Sequence, residues 1–194
     1  MRTLDLFVVE VDKPLNDTIT LDSGLELFVD TQYNEFEHRT TEGKVVASPS
    51  KHNTGVSIGD TLYFHHLVVI QGGQPLTGVD NHYTVKCDPK FTISNQAIAF
   101  MGKETGDISP LFGWSLLEPT EEKVEPDSGV IEVVKLEEEP VLKGRVSFDT
   151  PQQKELGVKK GDVVGFAKNM DYRIEIEGKE YYRVRSEDLL YVET

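Results

Sequence analysis

Apolar residues recur at every second position through most of the chain. Leu4, Leu6 and Val8 alternate with Thr3, Asp5 and Phe7. The same short alternation returns in Thr18-Ile19-Thr20-Leu21, Lys44-Val45-Val46-Ala47, Thr61-Leu62-Tyr63-Phe64, Ile131-Glu132-Val133-Val134, Ile174-Glu175-Ile176 and Tyr181-Tyr182-Arg183-Val184-Arg185. A period of two places successive side chains on opposite faces of an extended chain. Each run is rich in β-branched or aromatic residues and bounded by Gly, Pro, Asn or Asp, which are strand and turn signals. No amphipathic helix longer than about three turns is predicted, and 95–101 fits either a short helix or a strand. Many short strands at close spacing predict an all-β barrel or sandwich.

The pattern occurs twice. Val56-Ser57-Ile58-Gly59-Asp60-Thr61-Leu62-Tyr63-Phe64 and Val158-Lys159-Lys160-Gly161-Asp162-Val163-Val164-Gly165-Phe166 both read V-x-x-G-D-x-[LV]-x-F. In such a turn Gly supplies a positive φ, Asp a local hydrogen bond, and a strand follows. Pro14 and Asp22-Ser23-Gly24 match Pro119 and Asp127-Ser128-Gly129 at an offset of 105, and Gly43-Lys44-Val45 matches Gly144-Arg145-Val146 at 101. The Gly-Asp turns match at 102, Tyr83-Thr84-Val85-Lys86 matches Tyr182-Arg183-Val184-Arg185 at 99, and Ile98 matches Leu190 at 92. The matches keep their order and the offset drifts only across connections, which tolerate length changes that strands do not. Two tandem copies of one all-β unit are expected, over 1–107 and 108–194. The short polar connector of 102–107 restricts how far apart they can sit.

Composition narrows the class of partner. The 194 residues exceed the ~150 of a typical domain, so two small units are affordable. Apolar residues at 38% plus 16 Gly match an ordinary globular protein rather than a disordered chain. The formal charge of −14 repels phosphate backbones and argues against nucleic acid. Residues 1–119 carry 8 bases against 16 acids and 120–194 carry 12 against 18, so neither part is an acidic tail. One cysteine, Cys87, excludes an intrachain disulfide and a Cys-rich zinc site. The longest aliphatic run, Leu67-Val68-Val69-Ile70, is far from the ~20 residues of a membrane span, and no signal-peptide pattern opens the chain. A cytoplasmic protein that binds neither nucleic acid nor membrane is expected.

The ordered set of motifs resembles the GroES co-chaperonins. Ile108-Ser109-Pro110-Leu111 looks like the family's opening strand, and Asp127-Ser128-Gly129-Val130-Ile131 resembles the Gly-plus-apolar segment of its mobile loop. Gly144-Arg145-Val146 opens the next strand, the turn at 158–166 is similar to the family's most recognisable one, and 182–190 resembles its closing segment. The first copy departs in its own closing segment, where Cys87-Asp88-Pro89-Lys90-Phe91 reads as an insertion. The resemblance implies two tandem small β-barrels with flexible loops, no enzymatic chemistry and no cofactor. It also implies a homo-oligomeric ring that caps a GroEL-type chaperonin while ATP is bound to that partner. The links 43–59 and 144–161 look too short for the hairpin with which the family often roofs its ring, so an open or thinly roofed dome is expected.

The loops implied to bind are 16–42 and 120–143. Both are too polar to fold alone, and each holds one apolar cluster: Gly24, Leu25, Leu27 and Phe28 in the first, Gly129, Val130, Ile131 and Val133 in the second. Glu26 and Glu132 interrupt these clusters. In an extended loop Leu25 and Leu27 share a face opposite Glu26, leaving the acid free to face solvent. The competing reading is ordinary strand packing into the barrel.

Other candidates are weaker. Of the five His, His65 and His66 are adjacent, and on a strand they point to opposite faces, which makes them poor joint metal ligands. Nothing near Cys87 in sequence activates it as a nucleophile. Glu137-Glu138-Glu139 reads as a solvated charge run, and Trp114 as core or interface. The Gly spacings lack a following helix, so nucleotide binding is not supported. Two rivals stand beside the co-chaperonin. One is a structural or assembly protein that reuses the barrel without binding a chaperonin. The other is a medium-chain dehydrogenase, which would need zinc ligands and a nucleotide domain that the sequence lacks.

Overall fold

A computed structural model describes residues 3–13, 15–21, 23–29, 38–69, 82–85, 88–93, 96–120, 142–170 and 172–193. The chain divides into two compact units, Met1–Leu111 and Phe112–Thr194. The described part of the first carries nine strands: β1 (Phe7–Glu10), β2 (Thr18–Thr20), β3 (Glu26–Phe28), β4 (Glu42–Ala47), β5 (Thr61–Phe64), β6 (His82–Val85), β7 (Asp88–Ile93), β8 (Ala97–Met101) and β9 (Ile108–Pro110). Seven of them form an antiparallel sheet in the order β6-β7-β1-β4-β5-β8-β9, and β2 and β3 pair separately. The second unit carries β10 (Trp114–Pro119), β11 (Lys143–Val146), the short helix α1 (Pro151–Glu155), β12 (Val163–Phe166), β13 (Arg173–Ile176), β14 (Lys179–Arg185) and β15 (Leu189–Glu193). Its sheet runs β13-β14-β10-β11-β12-β15. Up to β9, the two sheets follow one order. Both are open among the described residues, with no ladder joining the outer strands.

Each sheet is organised by its Gly-Asp turn, and the two turns agree bond for bond. Gly59 and Gly161 have φ of 92° and 95°, a region that L side chains avoid. The Gly59 N–H donates to Val45 O and that of Gly161 to Val146 O, both at 2.8 Å. Val45 N in turn donates to Asp60 O and Val146 N to Asp162 O, both at 2.9 Å. The aspartate closes the turn from inside: Asp60 Oδ2 accepts from Ser57 N at 2.7 Å, and Asp162 Oδ2 from Lys159 N at 2.9 Å. Beyond the turn the register slips at the same place in both copies, between Tyr63 and Phe64 and between Gly165 and Phe166. Such a bulge bends the strand and sharpens its twist.

The matched glycines of β4 and β11 have a second cause. A Cβ on Gly43 would stand 2.9 Å from Glu10 O, and one on Gly144 would stand 2.7 Å from the Cβ of buried Leu117. The central strands pack too closely there for any side chain. Around this contact the first core gathers Val8 and Val9 of β1, Val45 and Ala47 of β4, Leu62, Tyr63 and Phe64 of β5 and Ala97 to Ala99 of β8. The second gathers Leu117, Val146, Val158, Val164, Phe166 and Val184. Each Val, Leu, Ile or Phe among them contributes roughly 1.5–3 kcal/mol on full burial.

The second unit also buries a polar cluster. Thr150 caps α1 by accepting from Gln153 N at 3.2 Å, while Gln153 Oε1 accepts from Thr150 N at 3.0 Å. Gln153 is fully buried, and its Nε2 donates to Ser115 Oγ at 2.9 Å, which lies 3.0 Å from Ser186 Oγ. Satisfied amide and hydroxyl groups are tolerable in a core. Residues 150–155, in the link judged too short for a roof hairpin, thus form a capped helical turn.

Several expectations are corrected. The strand Ile108-Ser109-Pro110, read as opening the second copy, pairs with β8 (Met101↔Ile108, Phe100↔Ser109), and the division falls at Leu111/Phe112. Backbone pairing is indifferent to which copy a strand belongs to, and this segment follows β8 after a connector of only six residues. The counterpart of β14 is β7, not the run Tyr83-Thr84-Val85-Lys86: β7 pairs with β1 as β14 pairs with β10 (Val9↔Phe91, Leu117↔Tyr182). Residues 88–91, read as an insertion, therefore belong to a main strand, and β6 answers to β13. The alternation read from Thr3 to Val8 does not hold: Leu4 lies outside β1 and is exposed, whereas Phe7, Val8 and Val9 are all buried, because β1 is central in its sheet and buried on both faces. The 95–101 segment is the strand β8 from Ala97 onward.

The glycine contact yields a prediction. Gly144→Ala must push Leu117 out of place and should cost about 1–3 kcal/mol, the range for overpacking a tight core, read as a lower urea midpoint at unchanged slope. An unshifted midpoint would show that β10 and β11 have room for a methyl group.

Candidate functional site

The first apolar cluster lies on the hairpin of β2 and β3. The chain leaves the sheet after Lys13 and returns at His38–Thr40. The base is tied by an antiparallel bridge between Leu15 and Arg39, by Asn16 N donating to His38 O at 2.6 Å, and by Thr40 Oγ1 donating to Lys13 O at 2.5 Å. Val29 N donates to Asp17 O at 2.8 Å, extending the ladder below β2 and β3. The tip is closed by Leu21 N to Leu25 O at 2.9 Å and Gly24 N to Leu21 O at 2.8 Å. Gly24 stands there at φ 78° with open space around it. Glycine is needed for the backbone, not for clearance.

Register sorts the side chains by face. Thr18 opposes Phe28, Ile19 opposes Leu27, and Thr20 opposes Glu26. Opposed residues share a face and neighbours along a strand alternate. One face is therefore Ile19 and Leu27, continued by Leu21 and Leu25 at the tip; the other is Thr18, Thr20, Glu26 and Phe28. The apolar residues are open to solvent: Ile19 53%, Leu21 41%, Leu25 57%, Leu27 44% and Phe28 82% exposed. Packing of this cluster into the sheet is thereby excluded. Glu26 lies opposite the aliphatic face, where alternation puts it, and does not interrupt that face. Phe28 does not join Leu25 and Leu27; it projects from the polar side.

Ile19 and Leu21 belong to the site and were not among its expected residues. Their signal was present, because Thr18-Ile19-Thr20-Leu21 is a period-two run and the Asp22-Ser23-Gly24 turn folds it back on Leu25-Glu26-Leu27. Gly129, Val130, Ile131 and Val133 lie outside the described residues, as does Cys87.

The histidines differ from expectation. β5 ends at Phe64, so His65 and His66 lie in a turn and not on opposite faces of a strand. Their ring centroids are 4.4 Å apart, and His65 Nδ1 accepts from Leu67 N at 3.1 Å. His52 Nε2 lies 3.3 Å from Asp5 Oδ1 at the surface. Among the described residues no group of three or more His, Cys, Asp or Glu could hold a metal ion, and no helix is long and apolar enough to cross a membrane. Trp114 is buried, with the Arg185 guanidinium over its ring.

Comparison of the chain with protein-family models and with curated proteins finds no match.

An aliphatic face as exposed as this one should be dispensable for folding. Leu25→Ser/Leu27→Ser should keep the wild-type urea midpoint to within about 0.5 kcal/mol, as surface substitutions do. Leu62→Ala, in the core, should cost about 2–5 kcal/mol. A double hairpin variant as unstable as Leu62→Ala would place the face in a core.

Proposed function

We propose that this chain is a tandem co-chaperonin of the GroES type, which caps a chaperonin cylinder and assists its ATP-dependent folding cycle without chemistry of its own. The observation that carries the reading is the hairpin, whose four-residue aliphatic face is largely exposed and whose strands pair apart from the main sheet. The repeated strand order and the atom-for-atom agreement of the Gly-Asp turns support the companion reading of two homologous units, each a small barrel. An isolated two-stranded hairpin is marginal in water, so docking must order it as well as bury it. Burial contributes roughly 1.5–3 kcal/mol per side chain, and ordering costs about 1–2 kcal/mol per residue. One hairpin then binds weakly, and several in a ring bind avidly yet reversibly.

Self-association has its own support. In the second sheet β15 is an outer strand, with Leu190, Tyr191 and Val192 exposed. In the first sheet the corresponding strand, β8, is covered by β9. A strand from another copy added at β15 would complete the second sheet as β9 completes the first. A chain with two units cannot fill a sevenfold ring evenly, so a layered ring, an idle unit or another symmetry follows. The same edge favours the second reading, a structural or assembly protein that never meets a chaperonin.

Co-sedimentation with a chaperonin in the presence of ATP separates the two. Capping is expected for the wild type and should fall at least tenfold in Leu25→Asp/Leu27→Asp or on deletion of 129–134. A wild type that never co-sediments leaves only the assembly reading. Chains carrying −14 each also repel one another in a ring, so assembly measured by sedimentation velocity should strengthen with salt. Dissociation at high salt would contradict that.

A further inference from the structure

One buried charge in the second unit has no counter-charge among the described residues. Arg183 lies on β14 opposite Leu116 of β10 and is 5% exposed. Among the described residues its Nη2 is buried without a hydrogen-bond partner and no carboxylate pairs with it. The guanidinium lies over the ring of Tyr172, its carbon 5.0 Å from the centroid. Two residues along the same face, Arg185 lies 3.8 Å over Trp114. Burial lowers the Arg183 pKa to about 10; the Tyr172 hydroxyl opposes this and the Arg185 charge adds to it. The group stays protonated at neutral pH.

The fold itself does not require this cation. Gly43 and Gly144 align the two sheets so that Val8 corresponds to Leu116, and the residue paired with Val8 is Thr92. The first unit therefore builds the same strand pair with threonine at the Arg183 position. A buried guanidinium with an unmet N–H is costly, and a neighbouring like charge raises that cost. Both are relieved by one kind of ligand. A guanidinium fork matches the paired oxygens of a carboxylate or phosphate group. The site also has a route of entry: Tyr172, in the connection between β12 and β13, is 53% exposed, and Arg183 N donates to its carbonyl, not to its ring.

We propose that Arg183 anchors an oxyanion site in the second unit, with Arg185 as its second cation and the Tyr172 ring as its cover, and that the site takes a free phosphate or carboxylate group. The inference is independent of chaperonin binding.

Thermal melting of the full chain in chloride, phosphate and glutarate at one ionic strength tests it. The wild-type Tm should rise with phosphate concentration relative to chloride, as for any ligand that binds only the native state. Arg183→Gln should show only the general stabilisation that phosphate gives by exclusion from the surface, and Tyr172→Ala should keep the full rise. A rise with phosphate alone assigns a phosphoryl group; a rise with glutarate as well assigns carboxylates too. Should Arg183→Gln not fold, Arg183→Lys keeps the charge but loses the fork, and should need at least tenfold more phosphate for the same rise. A wild-type Tm equal in all three salts, or an undiminished response in the Arg183 variant, overturns the proposal.

Discussion

In both sheets the arrangement of strands depends on a turn whose glycine adopts a conformation that other residues resist. Gly59 and Gly161 each donate an N–H to the strand before the turn, and the same strand donates back to the following aspartate. The two bonds fasten β5 to β4, and β12 to β11, before either hairpin extends. On their other side β4 and β11 lie so close to β1 and β10 that Gly43 and Gly144 can carry no side chain. With that contact set, the bulge after Tyr63 or Gly165 turns the outer half of the sheet, and β8 or β15 falls into place beyond it. Local turn chemistry and close central packing thus act on the same few residues, the consistency expected of a sequence that specifies one fold.

The hairpin obeys a different constraint. Its strands are three residues each, and its aliphatic side chains stay largely exposed. Alternation nevertheless keeps Glu26 away from Leu25 and Leu27, so the face stays apolar in a chain of charge −14. A patch of this kind on an acidic protein is held from self-aggregation by repulsion between copies and remains available to an apolar groove.

Much of the fold was legible because period two and turn chemistry are local. Thr61-Leu62-Tyr63-Phe64 is the observed β5, the Gly-Asp turns correspond down to their hydrogen bonds, and the offset of 92 at Ile98 and Leu190 agrees with the register, whereas β1 and β10 correspond at 108 (Val9 and Leu117) and not at 105. The misreadings are of long-range pairing, which local pattern does not encode. Tyr83-Thr84-Val85-Lys86 resembles 182–185 in residue type, but register with β1 belongs to Phe91 and its neighbours. Ile108-Ser109-Pro110 reads as a first strand and serves as a last one. In the site, Leu25 and Leu27 were legible from alternation. Ile19 and Leu21 carried the same period-two signal, but assigning them to the face of Leu25 and Leu27 needs the hairpin register. The placement of His65 and His66 turned on a strand ending one residue earlier, a boundary no periodicity fixes. Arg183 carried no sequence signal at all: on an alternating strand an arginine reads as an outward position.

The account rests on the hairpin meeting a partner through its aliphatic face. Amide hydrogen exchange over 18–28, measured on the protein alone and with an ATP-loaded chaperonin, addresses this directly. Fast exchange is expected in the free protein, since a short two-stranded hairpin opens readily, with strong protection of these amides in the complex while the central strands are unchanged. Complex formation that leaves exchange over 18–28 unaltered would contradict it.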